Sequence, residues 1–217
     1  MRSKIGSACM FLGAILILSA CILFFRNRME AKEAEQAANV VLVEMMNHFT
    51  VPTQLSESSV PSISEPDGDF PVETIPPNYP DPFDPEMTVV EINGFGYIGY
   101  LSIPDLNIML PIMSQWDYDR LQIAPCRYKG STKTDDLILC AHNYSSHFGD
   151  IASLRIGSEL SFTDMEGVVT YYTVAEITIL QPTAIEEMKS GEYPLTLFTC
   201  TYGGQSRITV RCTETSK

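Results

Sequence analysis

From residue 96 to residue 212 the chain is a succession of short runs rich in β-branched and aromatic residues, each closed by a turn signal. None of these runs keeps a helical period long enough to build a bundle, so the segment is confined to β architecture. Strands are predicted at 97–103, 108–113, 136–141, 159–163, 168–179, 195–200 and 207–212. Met165-Glu166-Gly167 is a hairpin turn between the fourth and fifth of them. Helical pieces are expected only at 118–123 and 148–154. The fold class is therefore mainly β, a mostly antiparallel barrel with a few small helices. Roughly 125 residues are enough for one compact core, and no internal repeat is visible.

The N-terminal part has a different character. Residues 5–25 carry no formal charge and are bracketed by Arg2 and Lys4 before and by Arg26 and Arg28 after. A helix of that length, at about 1.5 Å per residue, just spans a hydrocarbon core. A cleaved signal peptide begins in the same way, but the run is long for one and lacks a clean small-x-small site before Arg26, which favours a retained anchor. Bases on both flanks leave its orientation unset. Residues 29–49, rich in Ala, Glu and Met, read as an amphipathic or frayed helix that continues onward, with His48 solvated. Residues 50–90 hold nine of the fourteen prolines and read as an extended stalk. The expected organisation is an anchor at 1–28, a juxtamembrane helix and proline- and acid-rich stalk at 29–90, and a β domain at 91–217.

The formal net charge of −13 is concentrated in the connector, where residues 29–90 carry twelve acids against one lysine. Such a chain has nothing to neutralise phosphates with, which argues against nucleic-acid binding. A solvated, self-repelling spacer explains the acid better than a partner-binding tail.

Chemistry enters at the ends of three runs. Leu195-Thr196-Leu197-Phe198-Thr199 delivers Cys200, Arg207 opens the next run, and Leu137-Ile138-Leu139-Cys140-Ala141 delivers His142. A thiol, an imidazole and a guanidinium at strand ends form a cysteine-nucleophile set. Cys200 would attack a peptide carbonyl to give a thioester, and His142 would protonate the departing amine and deprotonate the incoming one. Arg207 and a backbone N–H near Cys200 would face the oxyanion. Period-two alternation puts Arg207, Thr209 and Arg211 on the outer face and Ile208, Val210 and Cys212 on the core face, with Arg211 read as a solvated charge. Thr199 and Asn143, next to the thiol and the imidazole, are candidate substrate contacts.

Rival readings involve the same residue types. His147, five residues after His142, sits beside Phe148-Gly149-Asp150 and reads as a loop or capping residue rather than the base. Cys140, His142, His147 and another cysteine are a conceivable zinc set, but the spacing lacks a paired C-x-x-C and a metal would occupy the nucleophile or base. Cys9 and Cys21 fall in the apolar segment; Cys126, Cys140 and Cys212 are expected as buried thiols, with a disulfide among them as the alternative.

The ordered series IGYLSIP, LNIMLPI, RYKGS, the histidine run, GSELSFTD, YYTV, TLFTC and RITV, over residues 91–212, resembles the sortase family of bacterial cell-surface transpeptidases. The resemblance implies an eight-stranded closed β-barrel, with Cys200, His142 and Arg207 matching that family's catalytic residues and no cofactor required. It further implies a Gram-positive, single-pass membrane protein with an extracytoplasmic catalytic domain. Its partners would be secreted proteins bearing C-terminal sorting signals and an amine on a cell-wall precursor or a pilin. Ala141-His142-Asn143 followed by His147-Phe148-Gly149 is similar to class B, although 179–195 lacks that class's long helical insertion. Asp81-Pro82-Phe83 resembles the lid of class C pilin polymerases, while the want of an apolar segment after Cys212 points away from that class. A cysteine endopeptidase using water, or a non-catalytic surface scaffold, are the competing functions; the intact Cys, His and Arg set opposes the scaffold.

Overall fold

The structure is a computed structural model that describes residues 2–50, 87–189, 192–201 and 203–215. Of the expected stalk at 50–90, residues 51–86, including Asp81 and Phe83 of the suggested lid, lie outside the described residues.

Helix α1 (Arg2–Thr50) runs unbroken for 49 residues. It is followed by β1 (Val90–Ile92), β2 (Phe95–Ile103), β3 (Ile108–Met113), α2 (Tyr118–Leu121), β4 (Cys126–Lys129) and β5 (Leu137–Ala141). Then come β6 (Glu159–Asp164), β7 (Val169–Leu180), α3 (Ile185–Met188), β8 (Leu195–Cys200) and β9 (Arg207–Glu214). The sheet order β1-β2-β3-β4-β5-β8-β9-β7-β6 closes through a second pairing of β2 with β6, so eight strands form the barrel and β1 flanks it. All pairings are antiparallel except β3–β4 and β5–β8.

Closure depends on one glycine. Gly99 stands at φ +146°, where β2 shifts register against β3, and a Cβ there would lie 2.0 Å from the Thr163 carbonyl oxygen of β6. Any side chain would push the closing strands apart. On the other side of β6, the predicted hairpin forms: Gly167 takes φ +82°, and Asp164 Oδ1 accepts from the Glu166 and Val168 amides at 2.9 Å each.

The barrel interior is filled by alternate residues, among them Leu137 and Leu139 of β5, Leu195 and Leu197 of β8, and Val210 and Cys212 of β9. A second apolar cluster lies outside the barrel wall, where Val41 and Met45 of α1 cover Tyr97, Met113, Cys126 and Cys140. The residues that read as a helix merely continuing onward are thus packed: Ala31, Ala34, Ala38, Val41 and Met45 are all buried. The earlier part of α1 is the reverse, with Phe11, Leu16, Leu18 and Phe24 exposed, and between Met10 and Phe49 the helix is long and apolar enough to cross a membrane.

Several expectations are corrected. Two strands, β1 and β4, were not predicted, nor was α3. The helix expected at 148–154 contracts to a 3-10 turn at Ile151–Ser153, with no side-chain cap. Arg211 is not a solvated charge: Nη1 meets Glu176 Oε2 at 3.2 Å, Nη2 donates to the Glu187 carbonyl at 2.6 Å, and the guanidinium lies 5.4 Å over the Tyr193 ring. The reason is α3, which brings Met188 and Glu187 over the outer face of β9.

Candidate active site

Register and alternation together assemble the site. Cys200 lies directly opposite Arg207 in the antiparallel β8–β9 pair, which puts both side chains on one face of the sheet. In the parallel β5–β8 pair Ala141 lies opposite Thr199, so His142 leaves β5 level with Cys200. The interior residues are 137, 139, 195, 197, 210 and 212, and the opposite parity carries Cys140, Phe198, Cys200 and Arg207 to the outer wall. His142, Cys200 and Arg207 are all partly exposed at this end of the wall. The three predicted residues therefore meet at one mouth.

The β8–β9 loop fixes that mouth. Thr201 N donates to the Ser206 carbonyl at 2.9 Å, Ser206 N donates to Thr201 Oγ1 at 3.1 Å, and Gly204 N donates to the Thr201 carbonyl at 2.8 Å. Arg207 Nη1 donates to the Gly204 and Ser206 carbonyls at 3.2 and 3.3 Å, which tethers the guanidinium to its own loop. The Thr201–Ser206 clasp was not foreseen, although the Gly203-Gly204 turn between them was its sequence signal.

Thr199 lies on the interior side of β8, away from the exposed face of Cys200. Its side chain is 1% exposed and donates to the Ala141 carbonyl at 2.9 Å, so it locks β8 to β5 from the barrel interior. Alternation explains the placement, since Thr199 takes the opposite face to Cys200. Asn143 remains half-buried beside His142.

Burial holds the His142 imidazole below its usual range, with a hydrogen bond to the Asn143 side chain and the charge of Glu30 pulling the other way. His142 is therefore a neutral imidazole near neutrality. His147 is enclosed at 0% exposure and neither caps a helix nor meets solvent. Burial, reinforced by repulsion from His142, pushes it down to about 4. Such a ring is a core residue, not a proton shuttle.

A residue missed in the sequence stands beside His142. Tyr144, 6% exposed, stacks on His142 with ring centroids 3.9 Å apart and planes inclined by 21°. Neither its spacing nor its type distinguishes it from an ordinary loop tyrosine.

The remaining thiols are unlike Cys200. Cys126, Cys140 and Cys212 are buried and unbridged. Burial pushes Cys126 and Cys212 each up to about 12 and also raises Cys140 well above its usual range. Among the described residues no three His, Cys, Asp or Glu side chains gather as a metal site. An accessible thiol, a neutral imidazole and a tethered guanidinium are suited to acyl transfer through a covalent thioester.

The family model of the Sortase domain matches residues 101–215. Among solved structures, Streptococcus agalactiae sortase C1 is 28% identical with a TM-score of 0.51, covering 58% of this chain and 72% of that one. Clostridium perfringens sortase C, solved with the C-terminal cell wall sorting motif, is 28% identical with a TM-score of 0.50, covering 56% and 71%. Streptococcus pneumoniae sortase C, at 20% identity and a TM-score of 0.50, shares the fold over 58% and 72% of the two chains. A search of curated proteins found no match.

Proposed function

The chain belongs to the sortase family and is a cysteine transpeptidase of that family's type; from that premise we propose that Cys200, His142 and Arg207 carry the reaction on sorting-signal proteins. The observation that carries the assignment is the register of β8, with Cys200 opposite Arg207 and its neighbour opposite Ala141, just before His142.

In the first half-reaction the Cys200 sulfur attacks the scissile carbonyl while His142 accepts the thiol proton. The oxyanion is met by Arg207, whose planar fork can turn from its loop carbonyls, and by a backbone N–H. His142 returns the proton to the leaving amine, and the thioester remains. An acceptor amine then attacks, losing its proton to His142, and the thiol is restored. The acceptor is a cell-wall precursor or pilin amine. Both relatives at 28% identity are sortase C enzymes, the class of the pilin polymerases, which favours the pilin. The Asp81-Pro82-Phe83 resemblance agrees with them, whereas the His142 loop sequence leans to class B.

Membrane attachment belongs to the same reading. Residues 1–28 anchor the chain, 29–90 connect it and 91–217 form the catalytic domain outside the cytoplasm. The exposed apolar side chains in the first half of α1 support an anchor.

The test is mass spectrometry of products from a sorting-peptide library, offered with and without amine acceptors. Transpeptidation requires a covalent adduct on Cys200 and amine-dependent ligated product. Water-only products at every amine concentration would make the enzyme an endopeptidase, and no adduct at all would remove the Cys200 assignment.

A further inference from the structure

The His142 loop is built against α1 rather than left free. Tyr144 is enclosed between the His142 ring on one face and Ala31 and Ala34 of α1, with His147 5.5 Å away on the loop's inner side. Ser146 Oγ donates to the Ala31 carbonyl of α1 at 2.9 Å. The loop also closes on itself: His147 N and Gly149 N donate to the Tyr144 carbonyl at 2.9 and 2.8 Å. A Cβ on Gly149 would sit 2.7 Å from that carbonyl oxygen and 2.8 Å from the one of Asn143, so only glycine permits the closure. Tyr144 therefore has a fixed backbone, a fixed ring and one catalytic neighbour.

Resting on the assignment of His142 as acid and base, we propose that Tyr144 is a positioning residue that holds the His142 imidazole in its working plane, backed by the small-residue face of α1. The physical case is rotational. A histidine beyond the end of its strand has two free side-chain torsions, and its Nδ1 is buried without a partner, so the neighbouring Asn143 side chain supplies the hydrogen bond that helps to orient the ring. A parallel aromatic plate 3.9 Å away fixes its plane, because turning the imidazole would break the stack or drive it into the plate. The plate also accepts a transient imidazolium over its face. Ala31 and Ala34 are small enough to let the α1 backbone approach and keep Tyr144 from retreating. Charged and titratable groups around this pair are Arg28, Glu30, Lys32, Glu33 and Glu35 of α1 and His147 of the loop.

The experiment uses the full-length protein in detergent micelles and the variants Tyr144→Phe and Tyr144→Ala. Phenylalanine keeps the plate, so kcat should stay within about twofold of the parent; alanine removes it, so kcat should fall at least tenfold with KM changed less than twofold. In parallel the His142 ring protons are followed by NMR, assigned against His48 and His147, the only other histidines. They should be shielded by the stacked ring in the parent and in Tyr144→Phe, and should lose that shielding in Tyr144→Ala. If Tyr144→Ala keeps its kcat, or if Tyr144→Phe falls as far as alanine does, the proposal is overturned. Should Tyr144→Ala not fold, unshielded His142 protons in the parent would overturn it alone, and shielded ones retained in Tyr144→Phe would uphold it. Failure of the catalytic assignment itself would look different, as turnover surviving Cys200→Ala or His142→Ala.

Discussion

Two stretches of the same barrel wall carry cysteines, and only one is open. Beneath α1, Cys140 and its cross-strand partner Cys126 share the outer face with Met113, under Val41 and Met45. One step further along the strands, the cover ends at His142, Cys200 and Arg207. Residue type and strand face are alike in both stretches, and the difference is what lies above them. Under the helix, desolvation keeps thiols protonated; beyond its edge, a thiol meets solvent, an imidazole and a guanidinium. The helix thus delimits the patch by what it covers: Val41 and Met45 lie over Cys126 and Cys140, while Ala31 and Ala34 meet the His142 loop at Tyr144.

The largest expected effect separates the two stretches directly. Cys200→Ala should abolish both the thioester adduct and turnover with the barrel still folded, whereas Cys126→Ala and Cys140→Ala should leave turnover within a few fold. Iodoacetamide at pH 8 should label Cys200 first among the barrel thiols; comparable labelling of Cys140 would mean the cover is not closed.

Arg207→Lys keeps the charge but loses the planar fork, and kcat should fall on the order of 10²- to 10³-fold with an unchanged melting temperature. A loss below about tenfold would reduce Arg207 to a loop tether.

The two histidines extend the comparison to pH. His147 is held neutral by burial, at about 4 against an ordinary value of 6.5, so the unfolded chain binds its proton first. The stability this contributes is whole above pH 6.5 and drains away as pH falls towards 4, a loss of about 3 kcal/mol. Denaturant midpoints at pH 7 and pH 4.5 should show it, and His147→Leu should flatten the difference. For His142, lowered in the same direction, the acid limb of kcat/KM should fall below the ordinary imidazole value. A limb above it would mean that a charge partner, not burial, governs the base.

The smallest effect concerns the interior side of β8. Thr199→Val should cost about 1 kcal/mol, because it removes a buried hydrogen bond to Ala141. KM for the peptide should barely move; a severalfold rise would return Thr199 to the substrate.

Much of this was legible from short-range pattern. The bounds of β3 and β8 were read correctly, as was the turn after Asp164, because apolar runs and turn residues are local signals. Cys200, His142 and Arg207 stood at run ends and so were visible as candidates. What escaped depends on distant neighbours. Strand β4 is only Cys126-Arg127-Tyr128-Lys129, too short and too charged to declare itself without β5 beside it. Ala31, Ala34 and Ala38 look like helix formers in sequence and become an interface only when Tyr144 arrives. Arg211 finds Glu176 from 35 residues away, and Thr199 was judged by its neighbour Cys200 rather than by the face it takes.

The parallel seam between β5 and β8 has one more consequence, for the order of events as the chain folds. Thr199 and Ala141 are 58 residues apart, with β6, β7 and α3 between them. Closing so long a loop is entropically slow compared with making the local hairpins. Until the seam forms, Cys200 and His142 share no common surface. Reactivity is therefore a late product of folding, and a partly folded chain carries Cys200 as an ordinary cysteine.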